Sequence, residues 1–174
     1  MKYLLFTFMM VCLLGSCQDK AGSFYAPLPY PQELVYTNDQ LVLDEVQLNC
    51  LEEEGPWEEW LKEMHVEMSQ KAGKSIQVER VDRFSAIPFN QEEAYQVEIT
   101  QTKVAVKSVT AVGAYRALQT LQQLVRKENG KYFLPTCQIT DWPAFRMRGL
   151  MQDVGRSYIS MAELKREIDM ALRK

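Results

Sequence analysis

The chain has 174 residues, of which 47% are hydrophobic, 25% charged and 10% aromatic. This composition is close to the average for soluble globular proteins and excludes a disordered tail, a collagen-like rod and a disulfide-stapled miniprotein. Its 20 basic and 23 acidic residues give a net charge of −3. Nucleic-acid binding requires a strongly basic surface, so we expect no nucleic-acid partner.

The first residues have the pattern of a secretory signal. Lys2 precedes an uncharged apolar stretch from Tyr3 to Leu14, which is shorter than the roughly 20 residues that a helix needs to cross a bilayer. The sequence Leu14-Gly15-Ser16-Cys17 follows and resembles a bacterial lipobox, in which the cysteine is lipidated and becomes the first mature residue. Ordinary cleavage at a small residue, which leaves Cys17 a free thiol, is the alternative.

We therefore predict a lipoprotein signal peptide over residues 1–16, lipidation at Cys17 and a polar tether over residues 17–23. A lipid anchor fixes the location of a protein without a membrane-spanning helix. The predicted location is the bacterial cell envelope, on the periplasmic or outer-membrane surface.

The first part of the folded region predicts strands followed by a helix. Leu34–Tyr36 and Leu41–Leu43 indicate two short strands separated by the turn residues Asn38 and Asp39. A helix that begins near Gly55 and ends at Gly73 is predicted next. Its apolar side chains recur at helical spacing, namely at Trp57, Trp60, Leu61, Met64 and Met68.

Two features of this helix have a functional alternative. The acidic run Glu52–Glu54 suggests a cation site, but carboxylates also favour the positive end of a helix dipole, and a helix start is the better interpretation. Trp57 and Trp60 suggest a platform for stacking a sugar. Their helical spacing with Leu61 favours packing in the core instead.

The central part predicts a sheet and a second helix. The helix runs from about Val112 to Arg126, and Asn129-Gly130 is predicted to end it. The segments that alternate between apolar and polar residues, and so predict strands, are Ile76–Glu79, Tyr95–Ile99, Val104–Val109, Tyr132–Leu134 and Cys137–Ile139. Tyr95–Ile99 and Val104–Val109 are close enough to form a hairpin. These patterns predict an α+β domain with a mixed sheet and two helices on one face.

After Asp141-Trp142-Pro143, which indicates a boundary, the pattern changes. Met147 to Val154 predicts a strand, and Ala162 to Leu172 predicts a helix with Ser160 and Glu163 as its capping box. One strand and one helix cannot bury both faces of the strand by themselves. This unit therefore packs on the preceding domain or begins a larger second domain.

Residue counts exclude several kinds of site. His65 is the single histidine, so no histidine-based metal cluster is expected, and the glycines form no phosphate-binding loop. Ser157 and Ser160 have no histidine in their segment to act as a base. We expect neither a metal nor a cofactor. Cys50 and Cys137 lie in apolar stretches and are either buried free thiols or a disulfide.

An unusual group of charges lies beyond the boundary, at Arg146, Arg148, Asp153 and Arg156. If this segment is a strand, Arg148 shares a face with Leu150, Gln152 and Val154, so we expect it to be half-buried. Such an arginine must pair with a carboxylate or face a polar cavity. The alternatives are thus a structural ion pair with Asp153 or another acid, and a binding role.

The string from Asp141 to Tyr158 resembles the opening of the catalytic barrel in family 20 glycoside hydrolases, the β-N-acetylhexosaminidases. That family has Asp-x-Pro-x-Phe, then Arg-Gly-hydrophobic and Asp-x-x-Arg, which match Asp141–Phe145, Arg148–Leu150 and Asp153–Arg156. Gly155 departs from the pattern, since the family usually has a small hydroxyl residue or alanine there. Upstream, Glu93–Ile99 and Gly113–Leu124 resemble the end of the family's small N-terminal α/β domain.

The resemblance implies the fold class α/β (α+β) with two parts. Residues 24–141 are expected to form the N-terminal mixed-sheet domain, zincin-like and without a metal. Residues 142–174 are expected to supply the first βα unit of an incomplete (β/α)8 barrel, a fold of about 250 residues.

The resemblance also implies the activity. Family 20 enzymes release terminal N-acetylhexosamines by substrate-assisted catalysis, with an Asp-Glu pair that follows a later barrel strand. We expect no catalytic residue in this chain, no activity of this fragment alone, and one substrate-binding residue, Arg148. The implied partners are glycans with terminal N-acetylglucosamine or N-acetylgalactosamine. The alternative is a non-catalytic surface lipoprotein that acts as a glycan-binding or interaction module.

Overall fold

The computed structural model describes residues 26–50, 54–149, 151–153, 155–156 and 158–172. Predictions for the signal peptide, Cys17 and the tether lie outside these residues. The strands are β1 (Glu33–Leu43), β2 (Glu45–Cys50), β3 (Glu67–Met68), β4 (Ser75–Arg80), β5 (Tyr95–Ile99), β6 (Lys103–Ser108), β7 (Arg126–Glu128) and β8 (Lys131–Asp141). The helices are α1 (Glu54–Glu63), α2 (Ala111–Leu124) and α3 (Met161–Leu172), with a 3-10 turn at Gln91–Glu93.

Among the described residues the strands form one mixed sheet in the order β1-β8-β5-β6-β4-β2-β3, with β7 beside β8. Strand β4 pairs in parallel with β2 and β6, whereas β5 pairs antiparallel with β6 and β8. The predicted hairpin is confirmed, with Val97 opposite Val106. The mixed sheet is confirmed as well.

Helices α1 and α2 approach one another and bury their apolar faces in the same core as the sheet, which confirms two helices on one face. The fully buried side chains of this core include Leu41, Leu61, Ile76, Leu118, Leu121, Leu134 and Ile139. A smaller cluster of Phe84, Ile87 and Ala94 lies beside it, and Trp142 packs against that cluster. The zincin-like description stays a prediction.

Strand β1 is continuous, so the predicted break at Asn38 and Asp39 is wrong. The register against β8 shifts between Tyr36 and Gln40, which accommodates the turn-forming residues in a bulge. The Thr136 hydroxyl satisfies the irregular backbone there, because it accepts a bond from the Asp39 N–H at 3.1 Å and donates to the Thr37 carbonyl at 2.6 Å.

Helix α1 ends at Glu63, earlier than the predicted stop at Gly73. The chain turns at His65, whose φ is 55°, and enters β3, which pairs in parallel with β2. Met68 is consequently a strand residue with 38% exposure and not part of the helix's apolar face. His65 is exposed at this turn. The pairing of β3 with β2 therefore decides the structure here, and the helical spacing of Met68 with the preceding apolar residues does not.

The interpretation of Trp57 and Trp60 as core residues is confirmed. They are 3% and 4% exposed, and their rings meet edge to face with centroids 6.3 Å apart. Neither ring presents a free face for a sugar.

Asn129-Gly130 does not end α2, contrary to prediction. Helix α2 stops at Leu124 because Val125 is extended. Asn129 and Gly130 have φ values of 49° and 80° and connect β7 to β8. Two residues with positive φ suit a type I′ hairpin turn, for which Asn-Gly is the preferred sequence.

The strand predicted from Met147 to Val154 is wrong for the residues that are described there. Met147–Gly149 and Met151–Asp153 adopt neither strand nor helix, and Met147 and Met151 are more than 90% exposed. A barrel strand needs neighbouring strands to satisfy its backbone, and none lies beside this segment in the described structure. Leu150 and Val154 lie outside the described residues, and the start of a barrel stays a prediction.

The helix predicted at the end of the chain is confirmed as α3. The Ser160 hydroxyl accepts a bond from the Glu163 N–H at 3.2 Å and donates to the Glu163 carboxylate, as expected for a capping box. Ile168, on its predicted apolar side, is 58% exposed. Among the described residues, no helix has the length and apolar character needed to span a membrane.

Cys50 and Cys137 are free thiols rather than a disulfide. Cys137 lies in the core and Cys50 packs at its border. Burial raises the pKa of each thiol to about 12, so both remain protonated and unreactive at neutral pH.

Candidate functional site

A cleft of about 330 Å³ lies between the segment before β1, helix α2 and the residues that follow β8. Its polar lining includes Gln32, Glu93, Tyr95, Arg116, Asp141 and Arg148. The cleft thus contains the boundary motif and the arginine that the sequence singled out.

A hydrogen-bonded group around Tyr95 forms one side of the cleft. Tyr95 is 3% exposed, and its hydroxyl donates to Asp141 Oδ2 at 3.0 Å. Its oxygen lies 2.6 Å from Thr120 Oγ1, which is then the donor of that bond. Asp141 Oδ1 also accepts the Gln32 N–H at 3.1 Å. Asp141 therefore ties the end of β8 to the residue before β1 and to Tyr95 of β5, which in turn contacts Thr120 of α2.

Burial is the main cause of the altered titration of this group. It raises the pKa of the Asp141 carboxyl, although the bonds from Gln32 and Tyr95 oppose the rise. Burial and the nearby Asp141 charge raise the pKa of Tyr95 as well. The Tyr95 hydroxyl consequently stays a protonated donor, and both carboxylate oxygens of Asp141 are occupied by protein donors.

Two arginines meet at Glu93 on the other side of the cleft. Arg148 Nη2 lies 2.5 Å and Arg116 Nε 3.3 Å from the same oxygen, Oε2. Arg116 also donates to Gln119 Oε1 at 3.1 Å, and Arg148 Nη1 donates to the Phe145 carbonyl at 2.7 Å. The Glu93 side chain is 23% exposed and that of Arg148 42%. The pair lies at the rim, where Arg148 remains accessible.

The 3-10 turn holds Glu93 in place. The Gln91 side chain accepts the Phe84 N–H at 2.9 Å and donates to the Ile87 carbonyl at 2.9 Å. Helix α2 lies directly against the residue that follows the turn, since a Cβ atom on Gly113 would be 2.5 Å from the Ala94 carbonyl oxygen. Glycine at 113 thus allows the approach that brings Arg116 to Glu93.

The structure does not gather the charged group that the sequence singled out. Arg156 pairs with Asp153 at 3.5 Å on the surface, and Arg146 lines a different hollow. The ion-pair alternative for Arg148 is realised with Glu93, and not with Asp153. Sequence reasoning missed Glu93, because no spacing pattern connects it with Arg148 across 55 positions.

The described residues contain no group of three or more histidine, cysteine or acidic side chains placed to hold a metal ion. Both acidic residues of the cleft already accept bonds from protein donors. Guanidinium and amide donors beside these carboxylates suit the recognition of a polar ligand such as a sugar.

Comparison with known proteins assigns the chain to a family. Residues 24–142 match the model of "Glycosyl hydrolase family 20, domain 2". This chain belongs to glycosyl hydrolase family 20. The resemblance found in the sequence is confirmed, and the matched residues coincide with the domain that contains the sheet, α1 and α2.

Relatives of this family 20 chain are considerably longer. The Beta-hexosaminidase of Porphyromonas gingivalis is 29% identical over an alignment of 199 positions, gaps included, that covers 98% of this chain and 25% of the relative. The chain therefore spans about a quarter of the length of this curated relative.

Two solved structures share the fold. The beta-N-acetylhexosaminidase from Bacteroides fragilis has a TM-score of 0.67 and 24% identity, over 85% of this chain and 31% of that one. The GH20 Exo beta-N-Acetylglucosaminidase from Vibrio harveyi, solved in complex with N-acetylglucosamine, has a TM-score of 0.65 and 21% identity, over 84% and 24%.

Proposed function

We propose that this chain is the N-terminal part of an exo-acting β-N-acetylhexosaminidase that removes terminal N-acetylhexosamine residues from glycans. The match of residues 24–142 to the family 20 domain carries the proposal. The similar Vibrio harveyi enzyme, which was solved with N-acetylglucosamine, supports this class of sugar as the partner.

The proposed reaction is substrate-assisted. The 2-acetamido oxygen of the terminal sugar attacks its own anomeric carbon, while a glutamate protonates the leaving oxygen and then activates water. A neighbouring aspartate orients the amide. We place this Asp-Glu pair in the part of the relatives' length that this chain does not span, within a barrel of about 250 residues. The present chain then has no general acid and is inactive alone.

Arg148 is proposed to bind the terminal sugar. A guanidinium has five fixed N–H donors and never loses its proton, which suits ring hydroxyls. Hydrogen bonds to Glu93 and Phe145 occupy two of these donors, and the side chain is 42% exposed on the cleft. The remaining donors are available to a ligand that enters from solvent.

The test of this function is hydrolysis by the complete enzyme, comprising this chain and the catalytic domain proposed to follow it. We expect release of nitrophenol from a nitrophenyl N-acetyl-β-D-hexosaminide. Absence of turnover in a folded, complete gene product would support the non-catalytic lipoprotein instead.

We also propose that Cys17 anchors the protein to the bacterial envelope through lipid, as the sequence Leu14-Gly15-Ser16-Cys17 indicates. Intact-mass analysis of protein from the native host should show residues 1–16 removed and a lipid adduct on Cys17. Replacement by Cys17→Ser should release the protein from membranes into the soluble fraction. A mature wild-type protein without lipid would contradict the proposal.

A further inference from the structure

Glu93 is one of the residues through which the N-terminal domain holds the segment containing Arg148. Its Oε2 lies 2.5 Å from Arg148 Nη2, although 55 positions separate the two residues. Other contacts bring the same segment to the 3-10 turn. Asn90 Nδ2 donates to the Pro143 carbonyl at 2.8 Å, and Trp142 packs against the Phe84 cluster. The segment after β8 is thus attached to this turn at several points.

Hydrogen bonds within the domain hold the backbone on either side of Glu93. The Gln91 side chain bonds the backbone of Phe84 and Ile87, and the Thr110 hydroxyl donates to the Glu92 carbonyl. Arg116 on α2 lies 3.3 Å from the same carboxylate oxygen. The folded domain therefore contributes to the position of the carboxylate independently of Arg148.

We propose that Glu93 is a positioning residue for Arg148, so that the N-terminal domain takes part in substrate recognition. This inference rests on the proposed function of Arg148. A free arginine side chain loses about 2 kcal/mol of rotamer entropy when it is fixed on a ligand. The bonds to Glu93 and to the Phe145 carbonyl restrict the side chain before the sugar arrives. The sugar then binds to a guanidinium that is already oriented.

The experiment compares variants of the complete enzyme on a nitrophenyl N-acetyl-β-D-glucosaminide. We expect Glu93→Gln to raise KM about five- to tenfold with kcat changed less than about twofold, because orientation is lost while the reacting groups stay in place. Glu93→Asp, which keeps the charge, should recover part of the affinity. Glu92→Gln is the matched control, since the same chemical change is made on an exposed neighbouring side chain.

A double-mutant cycle separates positioning from a purely structural role. Arg148→Ala should raise KM about 10- to 150-fold, the range of one charge-assisted hydrogen bond. Glu93→Gln should then cause no further rise in the Arg148→Ala background, because the two changes remove one arrangement. A structural role alone predicts equal KM effects in both backgrounds, together with a lowered melting temperature.

The outcomes are distinguishable. Absence of turnover in the wild-type complete enzyme removes the proposed function, and the positioning role with it. If the wild-type enzyme is active but the KM of Glu93→Gln equals that of Glu92→Gln, only the positioning role is overturned. The positioning role is also overturned if Glu93→Gln still raises KM when it is added to the Arg148→Ala enzyme.

Discussion

Replacement of Trp60 by alanine should lower the free energy of unfolding by about 3–5 kcal/mol, the usual cost of removing a large buried aromatic side chain. Trp60 is 4% exposed and meets Trp57 edge to face between α1 and the sheet. The surrounding strands and α2 restrict collapse into the vacated space. Urea denaturation of the chain, followed by circular dichroism, measures the change.

Tyr115→Ala is the control for Trp60→Ala, because Tyr115 is an aromatic residue on α2 that is 46% exposed. It should change the stability by less than about 0.5 kcal/mol. The alternative role of the tryptophans gives the opposite result. If Trp60→Ala left stability unchanged but abolished binding of N-acetylglucosamine glycans, Trp60 would be part of a sugar platform and not of the core.

Gly113→Ala should also destabilise the fold, by about 1–3 kcal/mol. In a helix alanine is ordinarily favoured over glycine by about 1 kcal/mol. Here the added Cβ would lie 2.5 Å from the Ala94 carbonyl oxygen and 3.2 Å from Ser108 Cβ. Backbone must therefore move, and α2 with Arg116 must shift away from the 3-10 turn. Thermal and urea unfolding measure the loss.

Gly73→Ala provides a control with the same chemical change. Gly73 lies between β3 and β4, its φ is outside the left-handed region, and no atom of a non-neighbouring residue lies within 4 Å of the added Cβ. The free energy of unfolding should stay unchanged or rise by less than about 1 kcal/mol. If the two substitutions changed the free energy of unfolding equally, α2 would not approach Ala94 closely. The packing that holds Glu93 in place would then be contradicted as well.

Elements with an unambiguous local period were predictable. The hairpin of β5 and β6 alternates strictly, and the apolar residues of α2 recur at helical spacing. The prediction that Asn129-Gly130 ends α2 is wrong because this dipeptide occurs in type I′ hairpin turns as well as after helices. Only the pairing of β7 with β8 decides between them.

The other differences between the predictions and the structure result from contacts between segments that are distant in the sequence. Helix α1 ends early because Glu67 pairs with Glu45 of β2. The apolar residues between Met147 and Val154 suggest a strand, but a strand forms only beside a partner. The sequence alone indicates two parts of the cleft, the boundary motif Asp141-Trp142-Pro143 and Arg148, but it does not indicate Glu93. Its role depends on a 3-10 turn and on the close approach of Gly113, and neither has a periodic signature.

The decisive measurement for the proposed mechanism is the rate at which the complete enzyme hydrolyses a nitrophenyl N-acetyl-β-D-glucosaminide compared with the nitrophenyl β-D-glucoside. Since the acetamido oxygen is the proposed nucleophile, we expect turnover of the first and a rate lower by about 10³-fold or more for the second. The 174-residue chain alone, in which no general acid is proposed, should hydrolyse neither. Equal rates on both substrates would overturn the substrate-assisted mechanism, and turnover by the chain alone would show that it contains a general acid.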